Sequence, residues 1–195
     1  MLIIFDLDDT LIDTSGCITP FKLQKVLEVM FQASPTEEQI AELTEINERS
    51  LRTKDAIVRF AQKYQMGEES LARGLFELTT SLPNNFQVRC TPHAKEILEH
   101  YRTLYPLALV TGGHPPFQLE KLKKAGVEAS VFSKIAIPED SVKKPFYQGL
   151  FREFSKQPSE IWVCGDRIPM DLAPAWELGF KTIHMRWGRG QRMQT

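Results

Sequence analysis

The opening segment MLIIFDLDDTLID sets Asp6, Asp8 and Asp9 directly behind an apolar run, with Thr10 following. Carboxylates this close repel one another, and an apolar strand holds them where water is scarce. A hard divalent cation with oxygen ligands relieves that repulsion, and Mg²⁺ is the usual one. Later apolar runs are followed by further polar groups: Thr111 with Gly112 and Gly113, then Lys143 and Lys144, then Asp166 with Asp171. A carboxylate beside a cation and a lysine suits phosphoryl chemistry. Asp6 can attack phosphorus while the cation and Lys144 neutralise the approaching phosphate. Asp8, two residues on, leaves the strand at a different angle, suited to protonating the leaving oxygen and later accepting a proton from water. Thr111 offers a hydroxyl, and the small Gly112 lets backbone N–H groups approach phosphate oxygens.

These residues act together only if the fold gathers them. Short apolar runs recur at Leu2–Phe5, Leu107–Val110, Ile135–Ile137, Ile161–Val163 and Thr182–Met185, with helical patterns between the later ones. Continuous apolar strands alternating with helices predict a parallel sheet covered on both faces, in which ligands bind beyond the carboxyl ends of the strands. Between strands, TPHAKEILEHYRT reads as a helix capped by Thr91, and PPFQLEKLKKAG as one ending at Gly126. KPFYQGLFREFSK has Phe146, Leu150, Phe151 and Phe154 on one face, and DLAPAWELG closes at Gly179. Residues 14–83 lack a convincing strand. Their apolar positions (Leu71, Leu75, Leu78, Leu82; Ala56, Ile57, Phe60, Ala61, Tyr64; Ile40, Leu43, Ile46) follow helical spacing. The reading is an α/β chain: a Rossmann-like three-layer sandwich with a central parallel sheet, formed by residues 1–14 and 84–195, interrupted by an all-helical insertion over 15–83. The closing GRGQRMQT reads as a loose polar tail.

The chain has 195 residues, 42% of them hydrophobic and 25% charged, with a net charge of −1. That balance gives no reason to expect a nucleic-acid polymer or a membrane surface as partner. No run approaches the length of a membrane helix, and the acids near the start do not suit a signal peptide. The three cysteines, Cys17, Cys90 and Cys164, are scattered and form no CxxC pair. Reduced thiols and a cytoplasmic setting are expected.

DLDDT, a strand ending in Thr111, KKP and GDRIPMD resemble the four motifs of the haloacid dehalogenase (HAD) superfamily, with patterns DxDx[T/V], Ser/Thr, Lys and GDxxxxD. VTGG, QLEKL and AG resemble a stretch common in its phosphatase-type members, and the insertion sits where that family carries a helical cap. The resemblance implies Asp6 as the nucleophile forming an aspartyl-phosphate and Asp8 as the general acid/base. Mg²⁺ would be held by the Asp6 side chain, the Asp8 main-chain carbonyl and Asp166, with Asp171 supporting that shell. Thr111 and Lys144 would bind phosphate. Lys144 is preferred to Lys143 because it stands directly before Pro145, as in the family's KP pattern. The expected substrate is a small phosphorylated metabolite of nucleotide, sugar phosphate or phosphoglycolate type, handled by a monomer or homodimer. Gly112 stands where many members carry Asn. Asp8 weighs against dehalogenation, because a halide leaves without a proton.

A phosphomutase, a phosphonate-cleaving enzyme using Lys22, Lys25 or Lys54, a non-catalytic HAD-like binding protein and a signalling receiver module are the alternatives. In the receiver the phosphorylated acid follows a middle strand and the lysine comes last, unlike the order here. Asp9 reads as a solvated turn residue, His114 and His93 as surface histidines, and Cys164 and Trp187 as packed side chains. Arg167 is placed to touch phosphate or a neighbouring acid. The basic run Arg49, Arg52, Lys54, Arg59 and Lys63 reads as a solvated helix face.

Overall fold

The computed structural model describes residues 1–192. The chain divides into two compact units, Met1–Ser15 with Pro83–Thr195, and Gly16–Leu82.

The first unit is built on five parallel strands: β1 (Leu2–Phe5), β2 (Leu107–Val110), β3 (Lys134–Ala136), β4 (Ile161–Gly165) and β5 (Lys181–His184). They lie in the order β3-β2-β1-β4-β5. From β1 the chain steps outward to β2 and β3, then crosses back to β4 and β5 on the other side. Right-handed crossovers therefore put helices α5 (Ala94–Arg102) and α6 (Pro115–Lys124) on one face and α7 (Lys144–Glu153) and α8 (Ala173–Trp176) on the other. The packing agrees on the second face. Leu2, Ile4, Ala108, Val110, Ile161 and Val163 share a core with Tyr147 and Leu150 of α7 and Ala175 of α8. Their neighbours along each strand, such as Ile3, Phe5, Leu107 and Leu109, are equally buried and point the opposite way.

Burial on both faces, expected of every strand, holds for β1, β2 and β4. It fails for the two edge strands: β3 has no buried residue, and β5 has three exposed positions, with Ile183 45% exposed. In α7 the inward residues are Tyr147 and Leu150, with Phe151 and Phe154 half-buried, while Phe146 points outward. Thr91 does not cap α5. Its hydroxyl donates to Thr10 O at 2.7 Å, tying the loop after β1 to the start of the return chain, and His93 takes the cap position. The closing segment is not loose up to its described end: Gly188–Arg192 form a helical turn with Gly190 buried, and 193–195 lie outside the described residues.

The second unit consists of α1 (Thr19–Phe31), α2 (Glu37–Glu48), α3 (Thr53–Lys63) and α4 (Glu68–Leu78). Leu23, Val26, Leu27, Leu43, Ile57 and Phe60 form its core, with Leu71, Leu75 and Leu78 packed against them. Thr36 and Gln39 form a capping box at the start of α2. Tyr64 stacks on Phe60 with ring centroids 4.5 Å apart. Among the described residues no helix is long and apolar enough to cross a membrane.

Lys22 of α1 is 2% exposed, and its ammonium meets the C-terminal end of α4 at Glu77 O (2.9 Å) and Thr80 O (2.7 Å). A cation there satisfies Thr80 O, adds to the bonds that Glu77 O accepts from Thr80, and complements the helix dipole. Lys22→Ala is expected to destabilise the protein by about 3 kcal/mol in denaturant unfolding, since it strands buried acceptors.

Candidate active site

The order of the strands reverses beside β1, so the crevice between the carboxyl ends of β1 and β4 is the topological switch point of the sheet. Asp6 continues the β1 ladder, its N–H donating to Cys164 O at 2.9 Å. The chain then curls, with Leu11 N and Ile12 N both donating to Leu7 O. The curl turns Asp8 toward α6.

Asp6, Asp166 and Asp171 bring carboxylate oxygens within 4.8 Å of one another, and all three side chains are buried. Lys143 enters this group from the residue before α7. Its ammonium donates to Asp6 Oδ1 at 2.6 Å and to Asp171 Oδ1 at 2.5 Å. Asp171 Oδ2 accepts from Arg167 N at 2.9 Å. Gly165 permits the closeness: a Cβ there would lie 2.5 Å from Asp171 Cβ. Asp166 is the exception in the group. It is 1% exposed and neither of its oxygens accepts a hydrogen bond; the Arg167 Nε lies 3.8 Å away. An orphaned, buried carboxylate facing Asp6 at the end of two adjacent strands is the donor set a hard divalent cation fits.

The protonation states carry the same message. Burial pushes the Asp6 carboxyl up to about 6, against the pull of Lys143. Burial, with Asp6 and Asp171 adding repulsion, pushes Asp166 up to about 9. Burial opposes the charge on Lys143, yet Asp171 and Asp6 hold it well above the usual lysine range. Burial also pushes the Cys164 thiol, under the cluster, up to about 12.

A cleft opens above these groups, lined by Asp6, Asp8, Thr111, Gly112, Ser141, Lys143, Arg167, Met170 and Asp171. The sequence-predicted Asp6, Asp8, Thr111, Gly112, Asp166 and Asp171 thus gather in one place. Lys144 does not join them. Its ammonium pairs with Glu177 at 2.6 Å on the surface, and Lys143 occupies the position expected of it. Pro145 lies in the first turn of α7, so Lys144 already points with the helix, while Lys143 still belongs to the loop that faces the site. Asp9 is not solvated. It is 2% exposed, adopts φ 55, and accepts from Ser15 N at 2.7 Å and Ser15 Oγ at 2.5 Å. Aspartate tolerates that left-handed conformation better than most residues.

Gly112 leaves room for Ser141: a Cβ on Gly112 would lie 2.6 Å from Ser141 Oγ and 3.0 Å from Ser141 Cα. The hydroxyl of Ser141 thereby takes up space at the rim where a larger side chain at 112 would reach. Two groups escaped the sequence reading, Gln118 and Lys121 of α6. Both are buried, and both bond to the Asp8 carboxylate. The signal was available in their spacing, since Phe117, Gln118, Lys121 and Leu122 fall on one helix face, and two polar residues on an apolar face need partners. His114 is exposed at the start of α6, and Trp187 Nε1 donates to Asp13 Oδ1 at 2.9 Å.

The model of the haloacid dehalogenase-like hydrolase family matches residues 3–185. The chain is 25% identical to a glyceraldehyde 3-phosphate phosphatase of Pyrococcus abyssi, covering 96% of this chain and 82% of that protein. The corresponding phosphatase of Pyrococcus furiosus is 24% identical, over 96% and 81%. Among solved structures, magnesium-bound YfnB from Bacillus subtilis superposes with a TM-score of 0.71 at 16% identity, covering 95% of this chain and 86% of that one. A haloacid dehalogenase-like hydrolase from Xanthomonas campestris gives 0.62 at 17%, covering 94% and 82%.

The raised Asp6 and Asp166 values mean that the metal-free folded state binds more protons than the unfolded chain above the ordinary aspartate value of 3.8. Stability of the metal-free protein therefore falls as pH rises, through about 6 for Asp6 and toward about 9 for Asp166. Asp8 works in the opposite sense, but only below its ordinary range. In EDTA, the melting temperature is expected to drop by ~5 °C between about pH 5 and about pH 8. Asp166→Asn should flatten that slope, as read by scanning calorimetry.

Proposed function

The chain belongs to the haloacid dehalogenase-like hydrolase family, and from that premise we propose that it is a Mg²⁺-dependent phosphatase acting on a small phosphomonoester through an aspartyl-phosphate at Asp6. The observation that carries this reading is the Asp6–Lys143–Asp171 bridge beside the unpartnered Asp166 carboxylate. The Asp6 and Asp166 side chains and the Asp8 main-chain carbonyl would hold the cation. When bound, it would supply charge to draw the substrate dianion against the carboxylates.

Each residue of the chain then has a task. Lys143 neutralises phosphate oxygens and keeps the Asp6 carboxylate aimed, while Asp171 fixes the Lys143 ammonium. Thr111 and the backbone at Gly112 bind the remaining phosphate oxygens. An Asp6 oxygen attacks phosphorus as the ester P–O bond breaks, and Asp8, which must first take up a proton against the pull of Lys121, gives it to the departing oxygen. Water then attacks the phosphorus of phospho-Asp6, Asp8 takes its proton, and the Asp6–P bond breaks to release inorganic phosphate. The net reaction is ester and water to alcohol and phosphate.

The unit Gly16–Leu82, inserted in the chain after the first acids, serves in this reading as the cap that selects among phosphorylated metabolites. Glyceraldehyde 3-phosphate is the first substrate to assay, because both curated relatives are named for it. A cytoplasmic enzyme, monomeric or homodimeric, is part of the same proposal.

Asp6→Asn is expected to abolish phosphate release from p-nitrophenyl phosphate without changing the circular dichroism spectrum; retained turnover would refute the nucleophile. Lys143→Met should lower kcat/KM by ~10³, while Lys144→Met stays within about twofold of wild type. The reverse pattern would restore Lys144 to the site. EDTA should silence the enzyme and Mg²⁺ restore it.

A further inference from the structure

Ser141 stands in the loop between β3 and α7, and it lines the cleft with Asp6, Thr111, Gly112 and Lys143. Two loops are stitched together there. Thr111 N donates to Ala136 O at 3.1 Å, Gly113 N to Pro138 O at 3.0 Å, and Ser141 N to the same Pro138 oxygen at 3.1 Å. Asp140 Oδ1 tightens the turn by accepting from Val142 N at 2.9 Å. None of these bonds uses the Ser141 hydroxyl. The turn also sets Ser141 at φ 62, a left-handed conformation that glycine adopts far more readily than serine. A side chain is therefore kept at 141 on a backbone that would be easier without one.

The place of that side chain is specific. A Cβ on Gly112 would fall 2.6 Å from Ser141 Oγ and 2.7 Å from Ser141 Cβ, so the serine fills the space that a side chain at 112 would need. Its oxygen lies against the Gly112 backbone, and the chain runs on from it through Val142 to Lys143. Thr111, Gly112 and Lys143 are the groups assigned to phosphate above. Two of the three backbone N–H groups of Thr111, Gly112 and Gly113 are already committed to Ala136 and Pro138. A phosphate group has three non-bridging oxygens, each a strong acceptor, so a further donor beside Gly112 has a partner.

We propose that Ser141 is a substrate-binding residue: its hydroxyl donates a hydrogen bond to a phosphate oxygen of the phosphomonoester, beside the Gly112 backbone and from the space that Gly112 leaves open. This rests on the phosphatase reading above and adds to it a group from the loop after β3. The strained backbone at 141 then has a reason, since a glycine there would relax the turn and lose the donor. Gly112 and Ser141 work as a pair: one gives up a side chain so that the other can reach the phosphate.

The contact is with the part of the substrate that every phosphomonoester shares with inorganic phosphate. Losing the hydroxyl therefore weakens inorganic phosphate as a competitive inhibitor along with the turnover of esters. A hydroxyl that met only the alcohol portion would leave phosphate inhibition unchanged, and one that only filled space would leave both unchanged.

The experiment compares wild type, Ser141→Ala and Ser141→Gly on p-nitrophenyl phosphate with Mg²⁺ present, with inorganic phosphate as the inhibitor. Circular dichroism and the melting temperature are recorded for each. Ser141→Ala should lower kcat/KM by ~10-fold and raise the inhibition constant of inorganic phosphate by a similar factor, with the fold intact. Ser141→Gly should show the same two losses to within about threefold of Ser141→Ala. Unchanged kcat/KM in a folded Ser141→Ala protein would overturn the assignment, as would a loss of kcat/KM with phosphate inhibition unaltered. A Ser141→Gly protein far worse than Ser141→Ala would also overturn it, by tracing the effect to the loop that carries Lys143. If Ser141→Ala does not fold, Ser141→Gly, whose backbone suits the left-handed turn, decides by the same two readouts. Failure of wild type to hydrolyse the ester would instead refute the phosphatase reading, and the assignment of Ser141 would fall with it.

Discussion

The structure depends on concentrating negative charge where water cannot screen it. Asp6, Asp166 and Asp171 meet at the carboxyl ends of β1 and β4, all buried, and a single ammonium from Lys143 bridges two of them. Removing the ammonium would leave like charges facing one another at low dielectric. Asp166 accepts no hydrogen bond even with Lys143 in place, and the Arg167 Nε stands 3.8 Å from it. A cation that completes the site would be held strongly, and a phosphate drawn to that cation would meet Lys143 and Asp6 together.

The fold supplies this concentration through topology. Reversal of strand order beside β1 leaves a crevice no crossover helix covers, and the register Phe5 to Cys164 sets Asp6 level with the end of β4. Most of what reaches the crevice comes from the loops that follow the strands. Thr111 follows β2, Lys143 precedes α7, Asp166 follows β4, and Asp171 returns against Gly165. Helix α6 contributes from the flank, where Gln118 and Lys121 fasten the Asp8 carboxylate to the Thr111 segment. The two ammonium groups divide the acids between them: Lys143 bridges Asp6 and Asp171 on one side of the crevice, and Lys121 pairs with Asp8 on the other.

Most of the sheet was legible from the sequence because buried parallel strands read as unbroken apolar runs, and β1, β2 and β4 are such strands. The edge strand β5 was placed correctly but not its exposure, since an edge has no second neighbour to bury it. The acids were legible because Asp6 and Asp166 stand directly at strand ends and Asp8 follows close behind Asp6. The choice between Lys143 and Lys144 was not, because adjacent residues differ by about 100° around a helix and the helix start decides which one faces the site. The first turn of α7 begins at Lys144, which carries it outward. Asp9 was misjudged for a related reason: its burial depends on Ser15, brought back by a curl that local propensity does not encode. Gln118 and Lys121 lacked a visible role because their partner, Asp8, is distant in sequence.

Binding of Mg²⁺ measured by titration calorimetry near pH 7, in buffers of different ionisation enthalpy, tests the central claim most directly. With Asp166 held protonated in the metal-free protein, its value raised to about 9 by burial, cation uptake should release close to one proton. Asp166→Asn should lose both the tight binding and the release. Tight binding without proton release, or undiminished binding by Asp166→Asn, would contradict a cation seated on that carboxylate.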